Sequence, residues 1–215
     1  MTQPAKLGLT SSLQNIFVKS LDMDGCYHSS VKIDRPFPNT YWVIPHRLLA
    51  GEYPGDADKA RAQTRLASLA AAGINLFIDL TEEGELPPYH PLLPTSARHL
   101  RSAVVDCSVP YNITQTVGLL SSIREGLSSG RNLYIHCRAG IGRTGLIVGC
   151  YLAEELSSGR GALKQLNLLW RESERSRDWP KVPQTAEQAD YVRHWLKFSK
   201  RAAQRMHARI GDSRV

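Results

Sequence analysis

Residues 135–145 read IHCRAGIGRTG, and the apolar run Leu133-Tyr134-Ile135 leads directly into them. Three glycines, one cysteine and two arginines fall within these eleven residues, and their spacing admits two readings. Gly140, Gly142 and Gly145 fit the G-x-G-x-x-G of a dinucleotide loop, whereas Cys137 and Arg143 fit a C-x5-R loop that attacks phosphate esters. Both need a strand, a tight glycine turn and a helix N-terminus, because exposed N–H groups and the helix dipole attract phosphate. Either reading therefore places the stretch in an α/β fold.

Context separates the two. A dinucleotide loop opens its fold and is followed, about 20 residues on, by an acid at the end of the next strand. Here the loop lies two-thirds of the way along the chain, and the nearest following acids, Glu154 and Glu155, fall inside a helical pattern. The next stretch, SSGRGALKQLNLLW, reads as another helix, and GIGRTG lacks the Gly-Lys-Ser/Thr of a Walker loop. The C-x5-R reading agrees with the chemistry. A nucleophile toward phosphate esters must be ionised near neutral pH, whereas a free thiol ionises only near pH 8.5 or so. At a strand end, the converging N–H groups of residues 138–143 and the Arg143 guanidinium would stabilise a thiolate. The same amides of Arg138, Ala139, Gly140, Ile141, Gly142 and Arg143 would grip phosphoryl oxygens, two of which Arg143 can hold bidentately. Gly140 and Gly142 let the backbone curl around the anion. Thr144 offers a hydroxyl to the sulfur, and His136 orders the loop from behind. The loop supplies its own positive field, so neither metal nor cofactor is expected.

HCRAGIGRTG resembles the signature loop of the cysteine-dependent protein tyrosine phosphatase superfamily, His-Cys-x5-Arg-Ser/Thr-Gly, and the resemblance extends over roughly residues 41–198. It implies a phosphomonoester hydrolase with a phosphocysteine intermediate, and a general acid about thirty residues before the cysteine. Asp106, 31 residues before Cys137, fits that role; Asp79 and the acids of TEEGE are weaker candidates. PQTAEQADYV (183–192) resembles the superfamily's glutamine loop, implying that Gln184 positions the hydrolytic water with help from Gln188. Chain length and spacing resemble the compact dual-specificity-like branch, including bacterial and kinase-associated members. The implied substrate is a phosphorylated protein or peptide, with phosphotyrosine favoured. An inositol-phosphate phosphatase of the same superfamily and an idle phosphate-binding module are the alternatives. Cys107, beside the proposed acid, reads as a strand-end cysteine, with a disulfide to Cys137 as the rival idea. Cys150 reads as core, and Arg138 as either a substrate contact or a structural ion-pair partner. Tyr53 and Tyr89 are candidate walls of the cleft.

The rest of the chain supports an α/β architecture: a central, mostly parallel sheet flanked by helices, with the C-x5-R loop between a central strand and a helix. TYWVIPHRLLAGEYPG (40–55) reads as a short strand entering a Gly/Pro turn. A helix follows from Lys59 to Ala72, with Asp58 as N-cap and Gly73 past its end. INLFIDL (74–80) reads as a strand buried on both faces, and residues 99–106 as another strand ending at Asp106. Helices are expected at 114–128, 143–157, 161–176 and 185–208, the last with a core stripe of Ala189, Val192, Trp195 and Leu196. The Pro-rich stretch TEEGELPPYHPLLPTS between strands is long enough to suggest a functional loop.

At 215 residues, with 42% hydrophobic and 22% charged residues, the composition suits one soluble domain. The domain is expected at 39–200, with an N-terminal arm (1–38) and a basic C-terminal tail (201–215). The formal charge of +7 is concentrated late in the chain, where seven Lys or Arg after residue 192 face a single acid, Asp212. That end suits a solvated helix face, or an acidic partner. No Cys/His finger or RNA-binding aromatic motif accompanies it, so nucleic acid is not expected. Without an apolar segment long enough for a membrane span or a signal peptide, a cytoplasmic location with reduced cysteines is expected.

Overall fold

The structure is a computed structural model that describes residues 33–212, with side chains described for 33–204. Most of the expected N-terminal arm, and the basic residues beyond 204, lie outside the described side chains. Five strands form one sheet: β1 (Thr40–Ile44), β2 (Leu48–Gly51), β3 (Leu76–Asp79), β4 (Arg98–Arg101) and β5 (Leu133–His136), in the order β1-β2-β5-β3-β4. Only β1 runs antiparallel to its neighbour; β2, β5, β3 and β4 are parallel to one another. The helices are α1 (Lys59–Ala71), α2 (Ile113–Ser128), α3 (Gly142–Glu155), α4 (Gly159–Trp170) and α5 (Ala186–Asp212). This is the expected α/β arrangement, with the Cys137 loop between the central strand β5 and helix α3.

Local chemistry accounts for the boundaries. Asp58 caps α1 by accepting from the Ala60 and Arg61 amides, and Gly73 leaves the helix at φ +83°. Asn112 caps α2 through Gln115 N–H (2.8 Å), and Ser158 caps α4 through Gly161 N–H (3.0 Å). Thr185 and Gln188 close a reciprocal box at the start of α5: Gln188 N–H donates to Thr185 Oγ1 (3.1 Å), and Thr185 N–H to Gln188 Oε1 (3.2 Å). Strands β3 and β5 are buried along their whole length, as apolar runs covered on both faces must be. Helix α3 is buried from Gly142 to Ala153 and packs against α4 and α5.

Several expected boundaries shift. Residues 40–55 make a hairpin of two strands, because Pro45-His46-Arg47 turns the chain back on itself. The strand expected at 99–106 ends at Arg101, and Asp106 sits in a loop. Its partner β3 stops at Asp79, so the edge strand has nothing further to pair with beyond the Ser102 and Val104 amides, which reach the Asp79 and Leu80 carbonyls. The helix expected at 161–176 ends at Trp170; no apolar residue continues its stripe in Arg171–Asp178, and a short 3-10 turn (Glu174–Arg177) returns the chain. That return is pinned where Trp170 Nε1–H donates to the Trp179 carbonyl (2.7 Å). The last helix continues to Asp212, through the start of the segment read as a tail. In its stripe Val192 and Trp195 are fully buried, while Ala189 and Leu196 are half-buried.

Parallel register sets the site. Gly51 and Asp79 both stand level with His136, so three strand C-termini end at one edge, where their following loops converge. Helix α5 braces α3 from behind, where Trp195 is wholly buried and its indole donates to Glu154 Oε1 (2.7 Å). Replacing Trp195 with Ala is expected to cost about 3–5 kcal/mol of unfolding free energy. A shift below 1 kcal/mol or so in denaturant titration would contradict this packing role.

Candidate active site

The loop after β5 turns because Gly140 has φ +75° and no side chain. A Cβ there would lie 2.5 Å from the Gly51 carbonyl carbon and 2.8 Å from Glu52 N, so the loop can rest on the end of β2 only with glycine at this position. The Tyr53 amide then donates to the Arg138 carbonyl (3.1 Å). Among the described residues, nothing accepts a hydrogen bond from the N–H groups of residues 138–143. Buried within the same turn are two further unpartnered polar atoms, Arg143 Nε and Thr144 Oγ1; the Thr144 hydroxyl therefore makes no bond to the Cys137 sulfur.

Cys137 is buried at the floor of a cavity of about 270 Å³, which Asp106, Arg138, Ala139, Ile141, Gly142 and Gln184 also line. Arg175 and Trp179 complete the lining; nothing in the sequence singled them out, and the helix expected at 161–176 would have enclosed Arg175. Gln184 packs beside Gly142, where its Oε1 would lie 3.1 Å from an added Cβ. Gln188 is buried beside Gly142 as well, its Oε1 3.0 Å from an added Cβ, and donates through Nε2 to the Ser108 carbonyl of the acid loop (2.9 Å). The exposed Arg138 makes no ion pair within 4 Å among the described residues, although its charge contributes to lowering the Glu85 pKa. Cys107 is exposed and Cys150 buried; both are free thiols, as is Cys137.

Arg143 is the most constrained charge in the site. Its guanidinium is buried and donates to Glu85 through both Nη atoms (2.7 Å each), with Nη1 also reaching the Val104 carbonyl (3.1 Å). Nη2 pairs with Asp106 Oδ1 at 3.1 Å, although the Asp106 side chain is 56% exposed. Burial disfavours the Arg143 charge, but Glu85, Cys137 and Asp106 outweigh it and raise its pKa further. In turn, the hydrogen bond from Arg143 holds Glu85 below the usual carboxylate range, against the effect of its own burial. Glu85 belongs to the TEEGE acids; the length of that loop marked it as functional, but nothing in the sequence chose among its carboxylates.

Behind the loop, Asp79 is buried and fully used. Oδ1 accepts from Thr81 N–H (2.9 Å) and Thr81 Oγ1 (2.6 Å); Oδ2 accepts from Arg101 Nη2 (3.1 Å) and Nε (3.3 Å) and lies 3.2 Å from His99 Nε2. Burial would raise its pKa, but the bonds from His99 and Thr81 and the nearby His136 overcome this and hold it well below the usual carboxylate range. His136 Nδ1 has the Cys137 carbonyl at 3.4 Å and Asp79 Oδ1 at 3.9 Å; these two acceptors place the ring proton on Nδ1. Nε2 then accepts from the Tyr89 hydroxyl at 2.7 Å. Tyr89 is buried, and Tyr53, also buried, donates to the Pro87 carbonyl (2.6 Å). Neither is among the residues lining the cavity; both support His136 from behind. Among the described residues no group of three or more His, Cys, Asp or Glu is arranged to hold a metal ion, and no helix is long and apolar enough to cross a membrane.

Burial pushes the His136 pKa from 6.5 down to about 4, despite the opposing pull of Asp79. Between those values the unfolded chain binds more protons than the folded one, so this histidine's contribution is present above pH 6.5 and lost as pH falls toward 4. The expected loss across that window is on the order of 3 kcal/mol. Nitrogen-15 shifts of the ring should report one neutral tautomer down to pH 5. A ring that titrates near 6.5 would contradict the burial argument.

Comparison with known proteins agrees with this geometry. Residues 37–167 match the family model described as "Swiss Army Knife protein, DSP-PTPase phosphatase domain". The chain is 31% identical over 121 residues to protein 067L of Invertebrate iridescent virus 3, which is named as a tyrosine phosphatase. That match covers 54% of this chain and 46% of the viral protein, so the chain spans about half the length of this relative. Among solved structures, Tk-PTP superposes with a TM-score of 0.59 at 21% identity, covering 75% of this chain and 98% of that one. A kinase associated phosphatase, solved with its catalytic site cysteine changed to serine, gives a TM-score of 0.59 at 21% identity and covers 70% and 85%. At such identities the two superpositions establish the fold.

Proposed function

The chain belongs to the dual-specificity-type protein tyrosine phosphatase family, and we propose that it hydrolyses phosphate monoesters through a phosphocysteine at Cys137. Phosphotyrosine in a protein or peptide is the favoured substrate, consistent with the naming of the viral relative. The observation that carries this reading is the ring of unpaired donors around a buried thiol: the amides of residues 138–143 and Arg143 Nε. A tetrahedral phosphoryl group can accept from several such donors at once.

The steps follow from the geometry. The phosphoryl group settles on the loop amides, and Asp106 gives up its bond to Arg143 Nη2. One edge of the guanidinium, Nε and Nη2, then faces the phosphoryl oxygens, while Glu85 holds the guanidinium from its two Nη atoms. Cys137 attacks phosphorus in line, and the bond to the leaving oxygen breaks as Asp106 delivers a proton to it. Gln184, at the cavity lining, places a water on the phosphocysteine, and Asp106 takes the water's proton as the phosphorus–sulfur bond breaks. Gln188 fixes the carbonyl of Ser108, two residues beyond the acid, and so sets where the acid loop rests.

Hydrolysis of p-nitrophenyl phosphate in EDTA, blocked by vanadate, is the expected basal activity. Cys137→Ser should abolish it, and retained turnover would rule out the nucleophile assigned. Asp106→Asn should lower kcat by about 100-fold or more on phosphotyrosine and by less on the activated nitrophenyl ester. Equal losses on the two substrates would remove Asp106 from the role of acid.

A further inference from the structure

Helix α5 carries a second surface that the catalysis does not use. From Tyr191 to Gly211 the sequence holds no Asp or Glu, yet it holds Arg193, Lys197, Lys200, Arg201, Arg205 and Arg209. The first four recur at steps of three and four residues, so they share one side of the helix, and all four are exposed. Arg193 pairs with Asp190, but Lys197, Lys200 and Arg201 have neither an ion pair nor a side-chain hydrogen bond among the described residues. Gly159 rests on the Arg193 carbonyl, where an added Cβ would lie 2.3 Å away, and this brings the exposed Arg160 alongside.

The other side of the helix is apolar and packed, which turns the cations outward. Val192 and Trp195 are buried, and further along Ala202 and Ala203 line a cavity of about 290 Å³ together with Val117 of α2. The carboxylate at that cavity, Glu154, is already taken by Arg124 and by Trp195 Nε1, so it leaves the cations of α5 uncompensated. The helix then runs on to Asp212, and the sequence keeps the pattern. Met206 and Ile210 follow Ala202 at four-residue steps, as Arg205 and Arg209 follow Arg201.

We propose that the cationic side of α5 docks on an anionic phospholipid surface. Its charges are unpinned and spread along one helix side with no cleft between them, which suits a broad plane of mobile negative headgroups. A helix that keeps cations on one side and apolar residues on the other over several turns has the pattern of a membrane-surface helix. Nucleic acid or an acidic protein would take the cations but would leave the apolar spacing of Met206 and Ile210 without a purpose. The catalytic cavity stays open in this arrangement, because the end of α5 that faces it is the first turn, where Gln188 lies beside Gly142. The proposal is independent of the phosphatase reading, since docking needs no turnover.

Vesicle sedimentation with the full chain tests this. The protein should pellet with phosphatidylcholine vesicles containing about one-third phosphatidylserine and stay in solution with phosphatidylcholine alone. Raising salt from about 0.05 M to about 0.5 M should release it. Lys197→Gln, Lys200→Gln and Arg201→Gln together should lower the partition coefficient about 100-fold, each cation near an anionic surface being worth about fivefold. The same charge loss elsewhere, in Lys59→Gln, Arg98→Gln and Arg171→Gln together, should change it by about twofold at most. All six positions are exposed, so both variants should keep the thermal midpoint of the parent chain. Equal pelleting with neutral and anionic vesicles, no pelleting with either, or equal losses in the two variants overturns the proposal. So does tighter binding, per unit of charge, to polyglutamate or duplex DNA than to the anionic vesicles, which would reassign the face to a protein or a nucleic acid.

Discussion

The buried guanidinium of Arg143 organises this molecule. A charge enclosed by protein is tolerable only when carboxylates and carbonyls surround it, and here its partners come from two segments besides its own. Glu85 belongs to the loop after β3, Val104 and Asp106 to the segment after β4, and Arg143 itself to the first turn of α3. Satisfying one side chain therefore fixes the relative positions of the segments that carry Cys137, Asp106 and Arg143. The arrangement leaves Nε open inside the Cys137 turn, which is the direction a phosphoryl group needs.

Asp79 plays the matching part on the other side of the loop. Level with His136 in the parallel register, it gathers Thr81, His99 and Arg101 and lies close to the ring behind Cys137. The loop bearing Glu85 begins at Thr81, and the strand bearing His99 and Arg101 leads to Asp106. A single buried carboxylate therefore ties together the origins of the same segments that Arg143 joins at their far ends. Its many donors keep it charged, and burial keeps His136 neutral.

Much of this was legible in the chain because it follows local rules. The apolar run before His136, the glycines of the turn and the spacing from Cys137 to Arg143 specify strand, loop and helix without reference to the rest of the fold. The cap at Asp58 is equally local. What escaped depends on tertiary placement. Glu85 is one of three glutamates in TEEGE, and only the folded loop selects the one that meets Arg143. Arg175 and Trp179 come to the cavity because α4 stops at Trp170, a stop signalled only weakly by the polar run after it. Tyr53 and Tyr89 look like cleft walls by their position in loops, yet both are buried with their rings against His136, Tyr89 through its hydroxyl. Strand β4 ends early because its sole partner does, a constraint imposed by pairing and invisible in its own residues.

The central claim is that a phosphoryl group is transferred to Cys137. Rapid acid quench during turnover of a phosphotyrosine peptide, followed by proteolysis and mass spectrometry, tests it most directly. The expected result is a phosphate adduct confined to the peptide containing residues 135–145, localised to Cys137, formed in a burst and absent in Cys137→Ser. Turnover without any adduct on Cys137, or an adduct on another residue, would contradict the mechanism.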